Sequence, residues 1–136
     1  MSQAIIRAAF ETTLNTWATG QSLAVAWQNK SFTPVNGTTY LRAFLIPNAT
    51  QSEDLGRVHR RYGGVFQVSV ALPLGAGPGA GEAILSGLSA LFNPSAPITQ
   101  SGVLVYILQP MSAAPAIVEP DRYVIPCSLT YRADTY

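Results

Sequence analysis

One segment, residues 65–72, constrains the fold of this 136-residue chain more than any other. Within it, four apolar side chains alternate with smaller or more polar ones: Phe66, Val68, Val70 and Leu72. An alternation of period two is typical of an antiparallel strand that buries one of its two faces. A strand of this kind needs neighbouring strands and a second layer that covers its apolar face. The rest of the chain is expected to supply both.

Two segments have the apolar spacing of amphipathic helices. Residues 3–18 repeat apolar side chains at helical spacing, and Ser2 and Gly20 are suited to begin and end this helix; the repeated residues are Ile6, Phe10, Leu14 and Trp17. A second helix is predicted over about residues 82–92, where the Asn-Pro pair that follows ends it. Each helix has one apolar stripe, so both are expected to pack against the sheet.

The remaining strand predictions cover segments 23–27, 39–46, 102–109 and 122–132. The order of elements is then α-β-β-β-α-β-β, in which few strands are joined by helices. This order predicts one domain over residues 1–136 with an α+β fold. Its expected architecture is a mostly antiparallel β-sheet with two α-helices packed on one face.

A charged segment lies in the predicted connection over residues 47–62. Its ionisable residues are Glu53, Asp54, Arg57, His59, Arg60 and Arg61. Arginine is favoured at protein interfaces because its planar guanidinium pairs bidentately with carboxylates. Compact domains rarely keep a loop of about 15 residues without using it. We therefore predict that this charged segment contributes to an oligomer interface or to another interface with a protein chain, although a solvated loop is the simpler alternative.

The composition favours contacts with other protein chains over contacts with nucleic acid or membrane. Only 11% of the residues are charged and 48% are hydrophobic, whereas an average soluble domain has about 25% charged residues. Part of the apolar surface is thus expected to be covered by another chain. The net charge of +1 gives no basis for specific nucleic-acid binding. No apolar run is long enough for a membrane span or has the flanks of a signal peptide.

No group of residues has the pattern of a catalytic, cofactor or metal site. The glycine-rich segment 75–81 resembles a phosphate-binding loop, but the predicted helix after it begins with Glu82 and Ala83 in place of a lysine and a hydroxyl residue. His59, the only histidine, lies among arginines and lacks partners for metal binding or acid–base chemistry. The single cysteine, Cys127, alternates with apolar residues and is interpreted as a buried small hydrophobe. We predict that the protein is not an enzyme and needs no cofactor.

Several motifs, in their order and spacing, resemble the tail terminator-like proteins of long-tailed bacteriophages. The resemblance covers nearly the whole chain, and it includes the second helix. It rests on Val25-Ala-Trp-Gln-Asn29, Thr39-Tyr-Leu-Arg42, Leu55-Gly56 with Arg60-Arg61, Tyr62-Gly-Gly-Val-Phe-Gln-Val-Ser-Val70 and Tyr123-Val-Ile-Pro-Cys-Ser-Leu-Thr-Tyr-Arg132.

This resemblance implies a non-enzymatic structural protein of the virion tail, made in the host bacterial cytoplasm. Such proteins form a hexameric ring on the head-proximal end of the tail tube. The ring ends tube polymerisation and presents a surface to the head–tail connector protein. The implied partners are therefore further copies of the chain, the tail tube protein and the connector, while DNA can pass through the ring without being bound specifically.

Two alternatives remain at the level of the sequence. The first is another phage neck or head–tail joining component, because such subunits are also small α+β proteins that assemble into rings. The second is a small ligand-binding domain or hydrolase that would use His59 and the glycine-rich segment 75–81.

Overall fold

A computed structural model describes residues 2–28, 30–33, 37–48, 50, 60–75 and 79–135. Two helices and eight strands occur in this part of the chain. In chain order they are α1 (Ser2–Gly20), β1 (Ala24–Trp27), β2 (Tyr40–Pro47), β3 (Arg60–Pro73), α2 (Gly79–Leu91), β4 (Ile98–Gln100), β5 (Val103–Ile107), β6 (Ser112–Ala113), β7 (Ile117–Val118) and β8 (Arg122–Thr135).

The centre of the sheet is the antiparallel pair of β3 and β8. Each of these strands has 14 residues, and they pair over their whole length, from Arg60 opposite Thr135 to Pro73 opposite Arg122. On the other side of β3 lies β2, also antiparallel. The strand β1 pairs with β2 in parallel and forms one edge. The prediction of a mostly antiparallel sheet in an α+β fold is confirmed.

On the side away from β3, β8 pairs with three short strands that follow one another along its length. In succession β5, β6 and β7 run antiparallel to β8, and the two interruptions contain Pro110 and Pro115. Proline has no backbone N–H and therefore cannot continue a ladder of strand hydrogen bonds. The outer strand β4 joins β5 through Ser101 and Gly102, whose φ angles of 49° and 79° are those of a tight hairpin turn.

Both helices pack on one face of the sheet, as predicted. The ring of Phe10 in α1 stacks on Phe66 of β3, with 4.6 Å between the ring centroids. Phe92, directly after α2, contacts both of these rings. The helix α1 contacts β1 and also β4, which lie at the two ends of the strand order, so the sheet curls around α1. The core lies between this curled sheet and the two helices.

Several predicted boundaries differ from the structure, and the short strands β4, β6 and β7 were not predicted. The second helix begins at Gly79, earlier than the predicted residue 82, and β3 begins at Arg60, earlier than the predicted residue 65. In the sequence, Gly64 interrupts the alternation of apolar residues. In the structure, β3 passes so close to β2 at this point that a side chain on residue 64 would overlap the backbone carbonyl of Ile46. The pairing of β3 with β8 continues past Gly64 to Arg60, so β3 is longer than predicted. Arg60 and Arg61 are therefore strand residues, and their prediction as part of the 47–62 connection is wrong.

A substitution in α2 tests the contact between the helices. A Cβ atom at Gly87 would lie 2.7 Å from the indole ring of Trp17 in α1, so Gly87→Ala should force the helices apart. We expect a loss of about 1–3 kcal/mol in the free energy of unfolding, typical of an overpacked core. Gly79→Ala is the matched control, because nothing lies within 4 Å of a Cβ there. Urea denaturation of both variants measures the difference, and equal stabilities would contradict the described packing.

Candidate functional site

The face of the sheet opposite the helices, here called the open face, has no described helix over it. Alternate residues of β2 show the two faces: Leu41 and Leu45 are buried in the helix-covered core, whereas Arg42, Phe44 and Ile46 point the other way. Cross-strand pairing places these three residues beside Ser69, Gln67 and Val65 of β3. The open face is therefore a sheet surface at which this chain can meet another molecule.

A polar cluster, here called the Arg42 network, occupies one end of the open face. Two nitrogens of Arg42 donate hydrogen bonds to the two carboxylate oxygens of Glu119, each at 2.9 Å. Arg42 also donates to the hydroxyl of Tyr40, at 2.8 Å from Nη2 and 3.1 Å from Nε. The buried Arg122 guanidinium lies 5.0 Å from the centroid of the Tyr40 ring and donates to the carbonyl of Thr38. These contacts tie β2 to the turn between β7 and β8.

The electrostatics of the network follow from its hydrogen bonds. The guanidinium of Arg42 holds the pKa of Glu119 below its ordinary value. In turn, the hydrogen bond to Glu119 raises the pKa of Arg42 above its ordinary value, against the opposing effect of burial. Both groups are charged at neutral pH, and the pair is satisfied within the chain. An external partner at this end of the open face would therefore meet two charges that already neutralise each other.

Farther along the open face lies a group of apolar side chains, which we call the open-face patch: Phe44, Ile46, Val65, Tyr106 and Leu108. Phe44 is 37% exposed and Ile46 is 49% exposed. Ile46 pairs with Val65 on β3, and Val65 pairs with Thr130 on β8. The carbonyl of Thr130 accepts a hydrogen bond from the backbone N–H of Leu108. The patch thus crosses four neighbouring chain segments, and its member Tyr106 lies opposite Arg132 of β8.

A second apolar surface, here called the edge pair, consists of Ile117 and Val118 on β7. Their side chains are 54% and 70% exposed. Consecutive strand residues point to opposite faces, so exposure of both places β7 at the rim of the sheet. Among the described strands, β7 pairs with β8 alone. An apolar edge strand with one open side is a surface on which another chain can dock.

The remaining charges of the open face cluster beside β5. Arg132 donates a hydrogen bond from Nε to Asp134 at 2.9 Å, and Arg61 lies opposite Asp134 in the pairing of β3 with β8. Toward the centre the sheet carries neutral residues, including Gln67, Ser128 and Thr130. The charges that the structure describes on the open face thus have partners in the chain.

The free edge of β2 is closed by a side chain. Strand β1 ends at Trp27, opposite Ala43, and the next residue, Gln28, accepts a hydrogen bond from the backbone N–H of Leu45 at 3.0 Å. Arg7 of α1 donates to the same oxygen of Gln28 at 3.0 Å. Pro47 has no N–H to offer. The backbone donors of this edge are therefore used or missing, so a partner would find no free backbone N–H at Leu45 or Pro47.

The structure describes only two of the six ionisable residues in the predicted charged segment, Arg60 and Arg61. Glu53, Asp54, Arg57 and His59 lie outside the described residues. Arg60 is the first residue of β3, and its backbone pairs with Thr135. Arg61 is half-buried within the same strand. The role of the segment as an interface stays a prediction.

Sequence reasoning missed the Arg42 network and the open-face patch. The alternation over residues 39–46 separates Phe44 and Ile46 from the buried residues of β2, but both sets are apolar. Nothing in the pattern indicates which set is exposed. Arg42 and Glu119 are 77 residues apart in the chain, and no local signal connects them.

The described residues offer no obvious reactive group. Cys127 is buried, as interpreted from its alternating neighbours, and burial raises the pKa of its thiol to about 11. Within the described ranges, no three residues among His, Cys, Asp and Glu come together as a metal site. Neither described helix has the length and apolar content of a membrane-spanning segment.

One comparison with known proteins shows the class of this chain. A family model described as phage tail terminator protein matches residues 5–131. A solved structure with 40% sequence identity has a TM-score of 0.84 and covers 100% of this chain and 98% of its own. The comparison with curated proteins gives no match. The chain is a structural protein of the bacteriophage tail. It belongs to the phage tail terminator protein family.

The Arg42–Glu119 pair gives a pH-dependent prediction. Glu119→Gln should lower the free energy of unfolding at pH 7 by about 1 kcal/mol or less, because the pair is partly exposed to solvent. The folded-state pKa of Glu119 lies below its unfolded value. Its contribution is therefore complete above the unfolded pKa of about 4.3 and is lost as the pH falls through the folded pKa.

Urea denaturation at pH 7 and at about pH 3 measures this contribution. The wild type and Glu119→Gln should differ at the higher pH and converge at the lower. Asp121→Asn removes an exposed carboxylate from the same turn and is the matched control. A difference of equal size at both pH values would contradict the assigned ion pair.

Proposed function

We propose that this protein forms a ring that caps the tail tube, ends tube polymerisation and provides the head-joining surface. The observation that carries this proposal is the family match over residues 5–131. The open face supports it, because a sheet with exposed apolar side chains and internally paired charges suits contact with other protein chains. The proposed partners are further copies of the chain in a hexamer, the tail tube protein and the head–tail connector.

The proposed ring passes DNA without binding it specifically. The net charge of the chain is +1. Specific and non-specific DNA affinity both depend strongly on unpaired lysine and arginine side chains that neutralise phosphates. The described arginines of the open face already contact carboxylates, an aromatic ring or a carbonyl in their own chain.

We further propose that the charged segment, Glu53 to Arg61, contacts a neighbouring subunit or the tube. The segment follows β2, which ends at Pro47, and runs into β3, which begins at Arg60. Both of its ends are therefore attached to the central strands. Arginine and carboxylate side chains on such an attachment suit a contact that must be specific for its partner.

Tube assembly with purified proteins tests the capping function. Tail tube protein alone should polymerise to a broad and growing length distribution, whereas addition of this protein should stop growth. Electron microscopy measures tube length and shows whether a ring sits at one tube end. Lengths that continue to grow in the presence of the protein would overturn the proposal. Binding to isolated connector rings, with no binding to tubes, would instead indicate a head–tail joining component.

Neutralising the arginines tests the charged segment. The Arg57→Ala/Arg60→Ala/Arg61→Ala variant should remain folded and should cap tubes less efficiently, with longer tubes at the same protein concentration. Arg61→Ala alone is the control, because Arg61 is half-buried in β3 and its loss reports on the strand itself. Normal tube lengths with the triple variant would show that the segment is not an interface.

A further inference from the structure

A cleft lies between α1 and the end of β1, and we call it the α1–β1 cleft. Its volume is about 380 Å³, and its lining residues are Arg7 and Glu11 on the helix and Trp27, Gln28 and Lys30 at the end of the strand. None of these residues belongs to the Arg42 network or to the apolar surfaces described above. The lining is polar or charged apart from the indole ring, so this cleft suits a polar ligand.

The side chain of Gln28 is held in one orientation at this cleft. Its Oε1 accepts a hydrogen bond from the backbone N–H of Leu45 and another from Nη1 of Arg7, each at 3.0 Å. A carboxamide has one oxygen that accepts hydrogen bonds and one nitrogen that donates them. The two side-chain N–H groups of Gln28 have no acceptor among the described residues, and the residue is exposed. Gln28 therefore presents donors to a ligand.

The charges of the α1–β1 cleft leave one cation uncompensated. Arg7 pairs with Glu11, one helical turn later, at 3.5 Å. Lys30 is the only lysine of the chain, and its ammonium group has no ion pair with any residue that the structure describes. Its backbone N–H donates to the carbonyl of Trp27 at 3.2 Å, which holds the lysine beside the cleft. Two cations and one carboxylate give the lining a formal charge of +1.

The α1–β1 cleft continues along α1. A second cleft of about 240 Å³ shares Glu11 and Trp27 with the first and adds Thr12 and Asn15. Hydroxyl and carboxamide side chains both donate and accept hydrogen bonds, as a peptide backbone requires. The indole of Trp27 offers an apolar surface and one N–H donor beside both clefts. Together the two clefts suit an elongated occupant, whereas an isolated small ion would fill only part of one.

We propose that the α1–β1 cleft binds one carboxylate of a partner polypeptide, with the adjoining backbone lying along α1. Lys30 and Gln28 donate hydrogen bonds to this carboxylate, and the bond from the ammonium group is charge-assisted. One carboxylate neutralises the formal charge of +1 on the lining. DNA is a poorer occupant, because its affinity comes from several unpaired cations that neutralise phosphates. The site goes beyond the proposed ring function, since it needs no particular oligomeric state.

Titration of the isolated, isotope-labelled protein with short peptides tests the site by NMR. The probes are a tripeptide with a central glutamate and both ends blocked, the same peptide with glutamine, and an uncharged peptide whose C-terminal carboxylate is free. The indole N–H of Trp27 should shift saturably with a carboxylate peptide, and that of Trp17, which lies between the helices at Gly87, should not. The carboxylate peptide that binds more tightly shows whether an acidic side chain or a chain terminus is the source.

Substitutions of opposite sign check the roles of the charged residues. Lys30→Gln should raise the Kd of the carboxylate peptide about two- to fivefold, the range expected for an exposed ion pair. Lys30→Arg keeps the charge and is the matched control, with a Kd near the wild-type value. Glu11→Gln should lower the Kd, because it removes the one negative charge of the cleft. Thermal unfolding checks that each variant keeps the fold.

Three results would overturn the inference. An equal shift with the glutamine peptide would show that the cleft does not recognise a carboxylate. The absence of any saturable shift would show that the cleft is not a binding site for these peptides. Tighter binding of a short DNA oligonucleotide than of either carboxylate peptide would assign the cleft to phosphate. Because the titrations use the isolated chain without tube protein, this site and the proposed capping function can fail separately.

Discussion

The pairing of β3 with β8 is the interaction on which the other features of the structure depend. It fixes the register of the sheet over 14 residues, and a slip of one residue would exchange the helix-covered face with the open face. The pairing places Phe66 and Leu129 under the helices and places Gln67 and Ser128 on the open face. The strand can pass close to β2 because Gly64 has no side chain to overlap the carbonyl of Ile46. Both apolar packing and surface chemistry follow from this one register.

The Arg42 network matters more for where apolar side chains lie on the surface than for the free energy of unfolding. A partly exposed ion pair contributes about 1 kcal/mol or less to stability. The network nevertheless covers the sheet between β2 and β8 with satisfied polar groups. It keeps the apolar side chains of β7 apart from those of β2, so the chain has two small apolar surfaces in place of one large one. A single continuous apolar face would favour aggregation, which two smaller surfaces make less favourable.

Local patterns predicted both helices and five of the eight described strands, but they did not predict β4, β6 or β7. Long-range pairing determined what the patterns missed. The alternation over residues 65–72 and the helical spacing over 3–18 gave the sheet, one helix and the α+β class. Residues 60–64 did not alternate, and they became strand only because β8 extends to Thr135 and pairs with them. The exposure of Phe44 and Ile46 depended on which face α1 covers. The interface residues expected from charge lie largely outside the described residues, so the charged segment and the open-face patch are independent candidates.

The proposed capping function sets a condition on the strength of the contacts between subunits. Two subunits that meet in solution must offset the entropy lost in association with the contact between them alone. A subunit that joined a ring on a tube end, as proposed, would gain contacts with its neighbours and with the tube together, and the tube would raise the effective concentration of the subunits. Strong contacts between free subunits would form closed rings in the absence of tubes. The charges of the open face are paired within the chain and offer a free subunit little electrostatic attraction to a second copy, which is consistent with the proposed assembly on the tube end.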